Sequence, residues 1–200
     1  MLGRYFRKHL VAMYPRLRFC SKIKIHPNLI TIISLLPAFM AALFIIRKLY
    51  LWAAVSVVTS LALDILDGAC ARMTSQASKF GDYIDAFIDR YRECIFYFGF
   101  ALAGYPLQAM FALSGSLLVS FAKARTAMCV PIEDYDWPAI GDMADRNIIL
   151  IVGLVVAGIK PVWFSKKEFL PLVLICIGLL THIGCFCRFL YAKKIIETKS

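Results

Sequence analysis

Charge is scarce in this sequence, and so are the patterns on which many soluble enzymes rely. Only 18% of the 200 residues are charged while 60% are hydrophobic. Soluble domains carry nearer half apolar residues, so an aqueous globular fold is excluded. The seven cysteines (Cys20, Cys70, Cys94, Cys129, Cys176, Cys185, Cys187) include no C-x-x-C pair. No histidine stands at a metal-ligand spacing from them, which argues against a zinc site or a disulfide framework. They read as small apolar packing residues. There is no nucleotide-binding Gly-rich loop, internal repeat or low-complexity tract, and the N-terminus lacks the apolar core of a signal peptide.

Long apolar runs are there instead. Six of them, at about 29–49, 51–70, 82–104, 106–128, 147–164 and 168–190, are each near the length that crosses ~30 Å of hydrocarbon as a helix. Backbone groups in lipid must be satisfied within the segment, so the predicted fold is all-α, a polytopic membrane protein of six transmembrane helices. Residues 1–26, with Arg4, Arg7, Lys8, Arg16, Arg18, Lys22 and Lys24 among Leu, Tyr and Phe, predict a basic amphipathic helix on the membrane surface. Residues 27–200 then form one membrane domain.

An even number of spans puts both termini on one side, and most of the Lys and Arg lie there. The opposite side has Arg47, Lys48, Lys160, Lys166 and Lys167. The positive-inside rule therefore predicts a multi-pass cell-membrane protein with both termini in the cytoplasm. The net charge of +10 is accounted for by this topology and by attraction to anionic headgroups, with no nucleic acid as partner. Trp52, Trp137 and Trp163 fall near span ends, as aromatic belts do.

Five carboxylates flank the loop between the second and third runs: Asp64, Asp67, Asp82, Asp85 and Asp89. An Asp at the bilayer centre costs about 2.5–3.5 kcal/mol, so these side chains must face a polar interior. On helices, Asp64 and Asp67 share one face, and Gly81, Asp85 and Asp89 share another. Carboxylates so close repel one another and call for protonation, a basic partner or a cation. All-oxygen ligands favour Mg²⁺ or Mn²⁺ over zinc. Gly68, Ala71 and Gly81 would let backbone approach a ligand, and Arg72 could meet a phosphate.

The run Asp64-x-x-Asp67-Gly68-x-x-Ala71-Arg72, eight residues, then Gly81-x-x-x-Asp85-x-x-x-Asp89 resembles the full signature of the CDP-alcohol phosphatidyltransferases. Pro27-Asn28-x-x-Thr31 at the start of the first span is similar to that family as well. The resemblance implies a metal pair on Asp64, Asp67, Asp85 and Asp89, with Asp89 as general base. It also implies that Gly68, Ala71 and Arg72, with Asp64, Asp67, Gly81, Asn28 and Thr31, receive a CDP-activated lipid. It further suggests a homodimer, while the positive-inside reading puts the active site on the cytoplasmic side. Asp82 lies outside the signature, and His26, next to Pro27, has no assigned role.

Lys123 and Arg125 end the fourth run, and Arg188 stands in the sixth among apolar neighbours. Basic groups converging on one pocket suit a phosphorylated acceptor, whereas serine or free inositol would not require them. Lys123, Arg125, Arg188 and the Asp89-Arg90-Tyr91 triplet resemble the branch that uses inositol phosphate to make phosphatidylinositol phosphate or its archaeal ether-lipid counterpart. The glycerol-phosphate branch tends to have Pro and Lys where this chain has Ala86 and Arg90.

Blander readings stand beside these. Intramembrane acids also mark ion pathways in transporters, though transport does not need Gly68, Ala71, Arg72 and Gly81 at these spacings. Lys123, Arg125 and Arg188 could be ordinary flanking charge. Arg90 could pair with Glu93 at three-residue spacing, and Arg146 with Asp142 or Asp145.

Overall fold

The computed structural model describes residues 26–130, 137–159 and 166–199, and in the last stretch the side chains of 169–197. Its helices are α1 (Pro27–Ile33), α2 (Leu35–Ile46), α3 (Tyr50–Met73), α4 (Lys79–Leu102), α5 (Pro106–Cys129), α6 (Met143–Ile159) and α7 (Lys166–Lys199). Among the described residues there is no strand, so the all-α expectation holds. The expected surface helix over residues 1–26 lies outside the described residues except for His26.

The first apolar run is two helices in line, interrupted at Ser34. Pro37 has no N–H to offer the Ile33 carbonyl, which loosens the ladder here. The Ser34 hydroxyl donates to the Thr31 carbonyl at 2.6 Å, and Ser60 of α3 donates to the Ser34 carbonyl at 2.7 Å, fixing the break against the next helix. His26 caps α1, its Nδ1 accepting from the Asn28 N–H, with Pro27 at the first helical position.

Three helix ends close with the same 6→1 backbone bond: Leu49 N–H to Phe44, Gln76 N–H to Ala71 and Tyr105 N–H to Phe100. The left-handed residues at these turns are Lys48, Ser75 and Gly104. These tight reversals make consecutive helices antiparallel.

Packing closes a ring in the order α2, α4, α5, α7, α6, α3 and back to α2, with α1 against α3 and α4. Close approach is achieved with small side chains: Ala38, Ala41, Ala53, Ala109 and Ala112 are essentially fully buried. At Gly99 of α4 a Cβ would lie 2.8 Å from the Cα of Ala42, so only glycine lets α2 and α4 meet there. Leu36, Phe39, Trp52, Leu107 and Met110 point outward and exposed.

Among the described residues, four stretches are long and apolar enough to cross a membrane: Pro27–Ile46, Tyr50–Met73, Pro106–Cys129 and Phe169–Glu197. α4 falls short because of its charges between Asp85 and Glu93, and α6 because it has 17 residues. The last helix continues past the expected end near 190 to Lys199, where Lys193 and Glu197 form an exposed pair one turn apart. Trp137 is not an exposed belt residue: it is buried and meets Tyr191 edge-on at 5.6 Å. Trp52 is exposed, and Trp163 lies outside the described residues.

Candidate active site

α3 and α4 are joined by residues 74–78, yet it is α2 that packs between them. The turn is set by Ser75 in the left-handed region and by Ser78, whose hydroxyl accepts from the Gly81 N–H at 3.0 Å to cap α4. Asp82, exposed in the first turn of α4, sits where a helix N-terminus favours negative charge. α3 and α4 make few direct contacts, and side chains from both meet in a shared polar space.

In that space Asp64, Asp67 and Asp85 each offer a carboxylate oxygen, all within 4.8 Å of one another. Asp67 is 3% exposed and its Oδ2 is buried without a hydrogen-bond partner. An orphaned buried carboxylate oxygen is costly. Its presence beside two further carboxylates fits a hard divalent cation, and the donor set fits Mg²⁺ or Mn²⁺. Thr31 faces the Asp67 carboxylate. The Arg72 guanidinium folds back over Gly68, 3.1 Å from where a Cβ would stand, and a Cβ on Gly81 would meet Ser78 and Asn28. The expected signature residues therefore gather at one end of the bundle.

Asp89, one turn deeper on α4, is held by two arginines. Arg92 is fully buried; its Nη2 donates to Asp64 Oδ1 at 2.6 Å and also to Asp89 Oδ1, and its Nη1 donates to the Ser60 carbonyl at 3.1 Å. Arg90 lies 3.6 Å from Asp89 Oδ2 and 3.3 Å from Glu93 Oε2, and donates to Ser120. The Arg90–Glu93 pairing read from the sequence is thus present.

Glu93 is 2% exposed and turns toward α5 and α6. It accepts from Ser116 at 2.7 Å and from Nε of Arg146 at 2.9 Å, with Arg146 Nη2 on the same oxygen. Arg146 does not pair with Asp142 or Asp145 as expected from their proximity in sequence; the helix at 143–159 turns it inward to Glu93 and to the Gly141 carbonyl at 2.5 Å. Asp142 pairs with Arg188, whose other donors reach the Val119 carbonyl at 2.7 Å and the Pro138 carbonyl at 3.2 Å. At 3% exposed, Arg188 does not snorkel to an interface.

Beside this network is a cavity of about 770 Å³ whose wall includes Arg90, Lys123, Arg146 and Arg188 with Asp142 and Ser120. Among the described residues the wall carries four cations and one carboxylate, with Glu93 behind it, a balance that suits an anion. The structure brings Lys123 and Arg188 to this cavity but not Arg125, which is exposed with its guanidinium near the Met128 sulfur. Sequence reasoning missed Arg146 and Arg90 as wall residues and Ser116 and Ser120 as their supports. The available signal was charge inside or beside an apolar run, which must be paired or face water.

A family model described as CDP-alcohol phosphatidyltransferase matches residues 24–131, more than half of the chain, and the chain belongs to that family. The archaetidylinositol phosphate synthase of Pyrococcus horikoshii is 34% identical over 110 residues, covering 54% of this chain and 58% of that one. The chain spans less than two thirds of the length of the archaeal synthases it matches, from 56% to 60%. The phosphatidylinositol phosphate synthase of Corynebacterium glutamicum is 31% identical over 170 residues, 80% of this chain and 75% of that one. In fold, the chain is similar to the phosphatidylinositol phosphate synthase of Mycobacterium tuberculosis crystallised with CDP-DAG bound. The TM-score is 0.76, with 22% identity, 90% of this chain and 92% of that one. The same protein has been crystallised with manganese and citrate, at a TM-score of 0.73, 20% identity and 90% and 88% coverage.

Proposed function

We propose that this protein transfers a phosphatidyl-type group from a CDP-activated lipid, CDP-diacylglycerol or CDP-archaeol, to a hydroxyl of inositol phosphate, releasing CMP. The observation that carries this reading is the adjacency of an acidic cluster suited to a divalent ion and a cavity walled by Arg90, Lys123, Arg146 and Arg188. Family membership, and the products named for the relatives from Pyrococcus and Corynebacterium, support it.

Asp64, Asp67 and Asp85, completed by Asp89, would hold two ions, Mg²⁺ or Mn²⁺; a manganese-bound structure of the Mycobacterium protein is in keeping with this. Bound there, the ions supply charge neutralisation for the diphosphate and for its leaving oxygen. Asn28, Thr31, Gly68, Ala71, Arg72 and Gly81 receive the CDP end of the lipid, the glycines leaving room for close backbone approach. Asp89 takes the proton from the acceptor hydroxyl, whose oxygen attacks the lipid-side phosphorus as the bond to CMP breaks. Its Oδ2, contacted by Arg90 at 3.6 Å, is the more loosely held oxygen and so the one to accept that proton.

The acceptor phosphate is bound by Lys123 and Arg188, joined by Arg146. Arg146 and Arg188 each spend three donor contacts on the protein and keep further N–H groups for a ligand. Arg125, exposed and outside the cavity wall, takes no part in this site. The bundle crosses the membrane six times, with both termini and the site on the cytoplasmic side, where Lys and Arg concentrate. The working form is a homodimer, as the resemblance suggests.

The test is CMP release by purified protein given a CDP-activated lipid and Mg²⁺, with inositol phosphate, glycerol phosphate, inositol and serine supplied separately. Release with inositol phosphate alone is expected. Release only with another acceptor keeps the chemistry and discards the acceptor reading, and no release with any favours an ion pathway.

A further inference from the structure

The buried carboxylate of Glu93 belongs neither to the acidic cluster nor to the cavity wall, yet it touches both systems through arginines. It receives two nitrogens of Arg146 on Oε1, and Ser116 and Arg90 on Oε2, so both oxygens are engaged. Arg146 comes from α6 and Ser116 from α5, while Glu93 and Arg90 lie on α4. α4 and α6 are not neighbours in the packing ring, so this ion pair spans the ring interior. Arg146 and Arg90 both line the cavity, whereas Glu93 does not. Arg90 also reaches Asp89.

A guanidinium with an unconstrained side chain has several rotamers to lose when it binds an anion, and one already pinned has few. Pinning by a carboxylate from behind also offsets the repulsion of several cations around one space. Glu93 meets both needs at once, and it sets one spacing for the cavity cations and the carboxylate at the reacting end.

We propose that Glu93 is a positioning residue for an anionic phosphate ligand of this cavity: it fixes Arg146 in the cavity wall and Arg90 between the cavity and Asp89. This rests on the reading of the cavity as the acceptor's phosphate site. Glu93 touches neither reactant and acts through the two arginines.

The experiment is titration calorimetry of the full-length protein in detergent, wild type, Glu93→Gln and Ser116→Ala, with inositol phosphate and, separately, with CDP and Mg²⁺. Glu93→Gln keeps the side-chain shape and removes the charge; its inositol phosphate Kd should rise at least about tenfold, the scale of a lost charge-assisted hydrogen bond, while the CDP Kd changes less than about threefold. Ser116→Ala removes one neutral support and should show the same selectivity at a few-fold. Should Glu93→Gln fail to fold, the Ser116→Ala selectivity decides. Equal weakening of both ligands marks Glu93 as merely structural and overturns the proposal, as does an unchanged inositol phosphate Kd or a wild type that binds none. Glu93-dependent phosphate binding in a wild type that releases CMP with no acceptor would sink the enzymatic reading and leave the placement of Glu93 standing.

Discussion

Arg92 on α4 and Asp64 on α3 are joined at 2.6 Å across two helices that make few direct contacts, and the same Arg92 nitrogen also serves Asp89. One buried guanidinium thus ties the acidic cluster to the deeper carboxylate. Removing it leaves Asp64 without its basic partner and Asp89 with Arg90 alone at 3.6 Å, and breaking a buried pair from one side costs about 3–5 kcal/mol. Arg92→Met should lower the melting temperature in detergent, and turnover should fall at least about a hundredfold. Arg92→Lys, which keeps the charge and loses the fork, should fall between it and wild type. Melting scans and CMP release measure both.

Metal dependence follows from the three converging carboxylates. Chelation with EDTA should abolish CMP release, and Mg²⁺ or Mn²⁺ should restore it. Asp67→Asn, at the most buried of the three, should not be rescued by raised Mg²⁺, whereas Asp85→Asn, at an exposed position, should recover in part. A metal titration of turnover for each variant separates these outcomes.

The cavity distinguishes basic residues that the sequence could not. Lys123→Ala and Arg146→Gln should raise the acceptor KM at least about tenfold while the donor KM moves less than about threefold. Arg125→Ala, outside the cavity, should change neither by more than about threefold. Equal effects on donor and acceptor would argue against phosphate recognition by these residues.

Packing can be tested apart from chemistry at Gly99. A methyl there would press on the Ala42 backbone at 2.8 Å, so Gly99→Ala should destabilise the bundle by about 1–3 kcal/mol. The acceptor KM should stay within about twofold of wild type, since no cavity residue is touched.

The acidic half of the site was legible in the sequence because its spacing is local: Asp64 with Asp67, and Gly81 with Asp85, fall on single helix faces, and helix geometry alone aligns them. The helical runs were legible because hydrocarbon thickness fixes their length. Of the basic half, Lys123 and Arg188 were legible as charge beside or inside apolar runs, whereas Arg146 was not, since it meets Glu93 across 53 positions. Near-neighbour pairing suggested Asp142 or Asp145 for Arg146, and only the ring closure of α6 against α3 and α7 turns that side chain inward. The break at Ser34 was not expected from the run's apolar length, although Pro37, three residues on, is its mark in the sequence.

The account turns on Asp89, the carboxylate between the acidic cluster and the basic cavity. The decisive measurement is CMP release by Asp89→Asn beside Mg²⁺-dependent CDP binding by the same protein. The expected result is turnover reduced by about 10²–10⁴, the usual worth of a general base, with CDP binding still detectable. Turnover equal to wild type would contradict the assignment of Asp89 and with it the chemistry proposed for this site.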